Sequence, residues 1–193
     1  MARSYTLKRR AEQQADTRLR IVEATVDLHG SFGPAATTVS MVAERAGVQR
    51  QTVYAHFPDE RSLHMACSGL ALERSPLPSA EPWRAIADPA ARLRRGLGEV
   101  YDWFAQNAAL AACVLRDAEF HPLTREISEL RFGPPMVSYR EVLGAGLNPR
   151  QRAVLHLALG FFAWRALTRE GGLNQQQAVD AMVQAVTAAR AGD

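Results

Sequence analysis

The sequence predicts an all-α fold, and three observations carry that prediction. Apolar residues recur at spacings of three and four along nearly the whole chain, the period of a helix with one buried face. Strand-like alternation is nearly absent. The gaps between apolar segments hold helix-capping Thr, Asp and Asn residues and helix-breaking Gly and Pro. With 193 residues, 47% of them apolar, the chain is long enough and greasy enough to bury a sizeable core.

The first helix is expected from about Thr17, with Ile21, Thr25, Leu28 and Phe32 on one stripe, ending at Gly33-Pro34. A second follows Thr37 or Thr38, either of which can cap it, and carries Val39, Val42, Ala43 and Ala46. Gly47 closes it, because the residue after a helix commonly takes positive φ, where only glycine escapes a Cβ clash. A third, short helix covers about Gln49 to His56 and stops at Pro58. Asp59 can cap a fourth, whose apolar face is Leu63, Met65, Ala66 and Leu70. Pro76, Pro78, Pro82 and Pro89 make the stretch from Ser75 to Pro89 the expected joint of the chain.

Beyond that joint, Asp88-Pro89 reads as an N-cap followed by an N1 proline, opening a helix through Trp103 and Phe104. Gly133-Pro134-Pro135 should break or kink the segment between Pro122 and Leu143. Asn148-Pro149 repeats the cap-proline device and opens a helix to about Glu170, after Gly144 and Gly146 have closed its predecessor. A last helix runs from the cap Asn174 to about Arg190. The expected domains are a basic N-terminal arm over 1–16, a small three-helix domain over 17–64 and a larger helical domain over 65–193.

The formal charge is only +3, but its distribution is uneven. Arg3, Lys8, Arg9, Arg10, Arg18 and Arg20 crowd the start of the chain against Glu12 and Asp16. Such a basic segment suits either an arm for a DNA minor groove or a solvated tail. Cys67 and Cys113 lack the repeated spacing of a disulfide or metal framework and are expected to be small core residues in a reducing, cytoplasmic setting. His64 and Cys67 stand one helical turn apart, but no third ligand accompanies them, so no metal is expected. The greasiest segment, Ala153 to Trp164, is interrupted by His156 and Gly160 and is shorter than the roughly 20 residues of a membrane span.

The stretch "AERAGVQRQTVYAHFPDERSL" has the most to say about function. Two helices joined by a short Gly-containing turn, the second only about two turns long, form a helix-turn-helix arrangement. Val48, Val53 and Phe57 are expected to point inward, so burial stabilises a helix too short to persist alone. The opposite face presents Gln49, Arg50, Gln51, Thr52, Tyr54, Ala55 and His56. Arg50 suits a guanine edge and Gln49 or Gln51 an adenine edge, through bidentate hydrogen bonds in the major groove. Thr52, Tyr54 and His56 suit phosphate oxygens, and Thr38 with the N–H groups opening the second helix suits another.

Thr38-Val39, Ala43, Ala46-Gly47-Val48, Thr52-Val53-Tyr54 and Phe57-Pro58 fall in one fixed order, and here the chain resembles the TetR-like repressors. The likeness spans roughly a quarter to a third of the chain, over their N-terminal three-helix domain and the start of the fourth helix. It implies that Thr38, Gln49, Arg50, Gln51, Thr52, Tyr54 and His56 meet DNA, and that the chain is a homodimeric, cytoplasmic repressor weakened by a small ligand. Three positions depart from the pattern. Glu60 replaces a frequent phosphate-binding Lys, Ser40 replaces a frequent Arg, and His29 stands where an aromatic core residue is common. Arg61 and the basic arm are the expected compensation. A helical small-molecule-binding or protein-interaction module that has lost DNA binding is the alternative that Glu60 and Ser40 favour.

Two further expectations concern the larger domain. "AVLHLALGFFAWRAL" is apolar nearly all round, and the last helix carries Ala178, Ala181, Met182, Ala185, Val186 and Ala189; helices at about 149–170 and 174–190 are therefore expected to pair across a two-fold axis. On this reading His156 is a hydrogen-bonded core or interface group. Trp103, Phe104, Met136, Tyr139, Phe161 and Phe162 are candidates to line a pocket for an apolar or aromatic effector, with Asp117 and His121 as polar handles. Catalytic signatures are missing. A nucleophile elbow needs glycine two residues before Ser31, where His29 stands, and the glycines at Gly96 and Gly144 form neither a dinucleotide loop nor a phosphate loop. No enzyme and no cofactor is expected.

Overall fold

The computed structural model describes the backbone of residues 2–189 and the side chains of residues 8–189. Among these residues there are eleven α-helices and no strand. They are α1 (Ala2–Ser31), α2 (Val39–Ala46), α3 (Arg50–His56), α4 (Glu60–Arg74), α5 (Glu81–Arg84), α6 (Pro89–Gln106), α7 (Ala108–Ala118), α8 (Pro122–Leu143), α9 (Pro149–Ala158), α10 (Phe161–Arg165) and α11 (Gln175–Ala188). A 3-10 turn covers Pro34–Ala36 and a π-helical turn Ala166–Glu170. The chain divides into two compact units: Met1–Arg74 with Ala112–Ser128, and Ser75–Ala111 with Glu129–Asp193.

In the first unit, α1 starts far ahead of the expected Thr17. Lys8 to Asp16 are all exposed, and burial begins at Ile21, followed by Val22, Ala24, Thr25 and Leu28. Thr25 satisfies its buried hydroxyl by donating to Ile21 O at 2.8 Å. Phe32 leaves the expected stripe and is 51% exposed, because α1 has ended at Ser31 and Gly33, at φ +97°, redirects the chain. The core joins α1 to Val42, Ala43 and Ala46 of α2, Val53 of α3, Phe57, and Leu63 and Cys67 of α4. Burying Val53 and Phe57 contributes about 1.5–3 kcal/mol each, which holds the seven-residue α3 in place.

The second unit forms around α6, whose Asp88 cap accepts from Ala91 N–H and whose Leu93, Leu97, Val100, Tyr101 and Phe104 are buried. Gly96 lets α6 approach α8: a Cβ there would sit 2.6 Å from Leu143 Cδ2. Two elements differ from expectation. Residues 149–170 are not one helix, since Gly160 takes an extended conformation (ψ 133°) and separates α9 from α10. Conversely, the break that was one of the two outcomes expected at Gly133-Pro134-Pro135 does not occur, and α8 continues through both prolines. Asn148 and Asn174 both form complete capping boxes, with Gln151 and Gln177. The end of the last helix expected at Arg190 lies outside the described residues.

Candidate nucleic-acid interface

The α2–turn–α3 geometry follows from its caps. Thr38 Oγ1 accepts from Met41 N–H at the start of α2, and Gly47 takes the left-handed conformation (φ 65°, ψ 40°) at its end. There Val48 N–H bonds to Ala43 O at 2.9 Å and Gly47 N–H to Glu44 O at 3.1 Å, the paired bonds of a Schellman ending. Gln49 occupies the N-cap of α3 without a side-chain cap bond, which leaves its amide available to a ligand.

The outward face of α3 is as the sequence predicts. Gln49, Arg50, Gln51, Tyr54 and Ala55 are exposed, as is Thr38 at the start of α2, while Thr52 and His56 are half-buried. Val53 and Phe57 are buried behind them and Val48 half-buried. The set therefore combines two amides, a guanidinium and several hydroxyls, donors that suit base edges and phosphates in turn.

The start of α4 meets one expectation and departs from another. Asp59 caps it, accepting from Ser62 N–H at 2.6 Å; that bond and the Ser62 hydroxyl hold the Asp59 carboxyl below its usual range. Glu60 lies 3.5 Å from His64 Nε2. Arg61, expected to replace the missing cation, is instead paired with Glu126 (Nη2 to Oε1, 2.8 Å).

Behind this face, His29 proves to be an aromatic core residue after all. It is 4% exposed, its ring lies edge-on to His64 with centroids 4.7 Å apart, and His64 faces His121 at 6.5 Å. His29 Nδ1 is 3.6 Å from Cys67 Sγ. Burial first, then the neighbouring His64, pushes the His29 pKa down to about 3, and burial lowers that of His64 as well, against the pull of Glu60. A cavity of about 310 Å³ is lined by His29 and His64 together with Thr38, Tyr54 and Glu60.

Three supports escaped sequence reasoning. The Arg18 guanidinium lies 4.3 Å over the Phe57 ring, Arg20 Nη1 donates to Ala46 O at 3.1 Å, and Asp117 Oδ2 accepts from Ala35 N–H at 2.9 Å. Arg116 completes the last, bonding Asp117 Oδ1 at 2.8 Å and Phe32 O at 3.0 Å. The sequence marked Arg18 and Arg20 as members of the basic cluster and Asp117 as a polar handle of a pocket, but none of the three as a support of this unit.

The expected effector residues are scattered. Asp117 and His121 belong to the first unit, where Asp117 holds the turn before α2 and His121 Nδ1 meets Thr124 Oγ1 at 2.7 Å. In the second unit Phe104 and Phe161 pack ring to ring at 5.4 Å, Trp103 Nε1 donates to Ser75 O, and Tyr139 donates to Pro78 O. Burial raises the Tyr101 and Tyr139 phenols above their usual range. Met136 is half-buried and Phe162 is 45% exposed. His156, expected in a core or interface, is exposed on α9.

Residues 21–66, which span α2, α3 and the core-forming part of α1, match the family model for bacterial regulatory proteins of the tetR family. Over these residues the chain is similar to that family's N-terminal domain. The fold likeness extends further than the model. The HlyIIR mutant protein superimposes with a TM-score of 0.68 at 14% identity, over 89% of this chain and 97% of that one. The tetR-family regulator PfmR from Thermus thermophilus gives 0.62 at 21%, over 90% and 100%. A tetR-family transcriptional regulator from Streptomyces coelicolor gives 0.60 at 19%, over 90% and 80%. No curated protein matches the sequence. The tetR-like architecture, an N-terminal helix-turn-helix domain followed by a larger helical domain, thus covers most of the chain. Among the described residues no helix is long and apolar enough to cross a membrane.

Proposed function

We propose that this chain is a ligand-responsive DNA-binding transcriptional regulator, a repressor that binds a palindromic operator as a homodimer and is released by a small apolar or aromatic effector. One observation carries the reading: α3 is fixed from behind by Val53 and Phe57 and turns Gln49, Arg50, Gln51 and Tyr54 to solvent on a tetR-type scaffold. A rigid short helix with bidentate donors on its outer face fits the major groove of B-form DNA. Arg50, Gln49 and Gln51 read bases; Thr38, Thr52, Tyr54 and His56 anchor phosphates. Residues 17–64 form the DNA-binding part and 65–193 the effector and dimer part. Effector and operator then oppose each other through one coupling free energy, typically about 1–3 kcal/mol.

Selection of bound sequences from random duplexes by the purified chain, at a stated salt concentration, tests the reading. A gapped inverted repeat is expected. On that duplex Arg50→Ala should cost about 1–3 kcal/mol and relax preference at one base position in each half-site. Recovery of no preferred sequence would favour instead a helical module without DNA binding, the reading to which Glu60 at the start of α4 points.

A further inference from the structure

We infer that the N-terminal half of α1 is a second DNA-contacting element, a rigid cationic helix that binds backbone phosphates flanking the site read by α3. The inference rests on the proposed DNA binding and extends it to residues outside the helix-turn-helix. Charge is the first observation. The opening twenty residues hold six bases against two acids, a charge of +4, whereas the remainder of the chain holds 17 bases and 18 acids. The whole positive excess of the molecule thus sits on one helix.

Shape is the second observation. Lys8 to Asp16 are exposed on a continuous helix, so this segment buries nothing that would explain its order by packing. Lys8, Arg9 and Arg10 are consecutive and fan over roughly 200° of the helix surface, and they stand about 20 Å along the axis from Ile21, where burial begins. Asp16 is turned back to Arg20, at 3.3 Å, away from the cationic end.

Attachment is the third. The root of this extension is clamped to the helix-turn-helix itself: Arg18 lies over Phe57 at the end of α3, and Arg20 bonds Ala46 O at the end of α2. The cationic end is therefore joined, as one continuous helix, to a root held by the same two helices that present the reading face. Its form also decides which part of DNA it meets. A helix about 10–12 Å across cannot enter a minor groove about 6 Å wide, so the minor-groove arm suggested by the sequence gives way to contact with phosphates. Such contacts carry affinity and salt dependence but no base preference.

The test compares the full chain with its Lys8→Gln/Arg9→Gln/Arg10→Gln variant on the duplex selected by the parent, titrated over a series of salt concentrations. Each lost phosphate contact lowers the log–log salt slope by about 0.9, so a fall of about 2–3 per subunit, and about 5 for the dimer on its duplex, is expected, with affinity at about 0.1 M salt reduced tenfold or more. Base preference should be unchanged, and trimming the duplex flanks should abolish the difference between parent and variant. An unchanged slope, or an altered base preference, overturns this inference while leaving the reading of α3 intact. A parent that prefers no duplex overturns both.

Discussion

His29 shows how a polar residue can occupy an apolar position. Its ring packs against His64 and its Nδ1 meets Cys67, yet Nε2 has no hydrogen-bond partner, so the site accepts a neutral imidazole and rejects a charged one. The sign of the pH effect follows. The folded pKa of about 3 lies below the unfolded value near 6.5, so the stability linked to His29 is full above about pH 6.5 and is lost as pH falls toward 3. By pH 5 the loss amounts to about 2 kcal/mol. His29→Phe should flatten that acid limb in denaturant unfolding followed between pH 7 and 4.5, with the lowered pKa of His64 supplying the remaining slope. An acid limb as steep as the parent's would contradict this account. The sequence marked His29 only as a departure, because neither its neighbours from α4 nor the turn before α8 can be read from spacing.

Among elements, the turn between α1 and α2 is the most tightly specified. Gly33 needs φ +97°, and a Cβ there would collide with the Asp117 carboxylate and the Arg116 guanidinium. Gly33→Ala combines both penalties and should destabilise by about 1–3 kcal/mol, read as a lowered urea midpoint with unchanged slope. A variant as stable as the parent would mean that the Asp117 contact to Ala35 yields freely. The glycine was legible as a helix stop; its reason was not, since Arg116 and Asp117 lie more than eighty residues along the chain. The caps Thr38, Asp88, Asn148 and Asn174 were legible because an N-cap is a local bond between residues three apart. Pro134-Pro135 and Gly160 misled in opposite directions. α8 continues through both prolines, whereas Gly160 adopts extended backbone that its apolar surroundings gave no reason to expect.

At the scale of the molecule, the apolar helices near the C-terminus are only partly used by their own chain. α9 buries Leu155 and Ala158 but leaves Leu157 58% exposed, and Phe162 after it is 45% exposed; α11 buries Ala178, Val179, Val183 and Val186. If a second copy covers this surface, Leu157→Asp should shift sedimentation from dimer toward monomer and weaken binding to a two-half-site duplex more than to a single half-site. Subunit stability should change by no more than about 0.5 kcal/mol, since the side chain is solvated in one chain. A variant that stays dimeric would move the interface elsewhere. The all-helical architecture and the exposed face of α3 were legible because periodicity and capping are local; the packing of the aromatic residues in the second unit was not, because aromatic spacing does not distinguish a filled core from a lined cavity.

The first unit is discontinuous along the chain, drawing Ala112–Ser128 back to Met1–Arg74. A fragment severed after Arg74 would keep every residue proposed to read bases, yet forfeit Asp117 beneath Ala35 and Glu126 beside Arg61. The helix-turn-helix unit is consequently not a portable cassette. Chimeras that exchange specificity between homologues must transplant two stretches of sequence, or rebuild the missing anchor in the recipient.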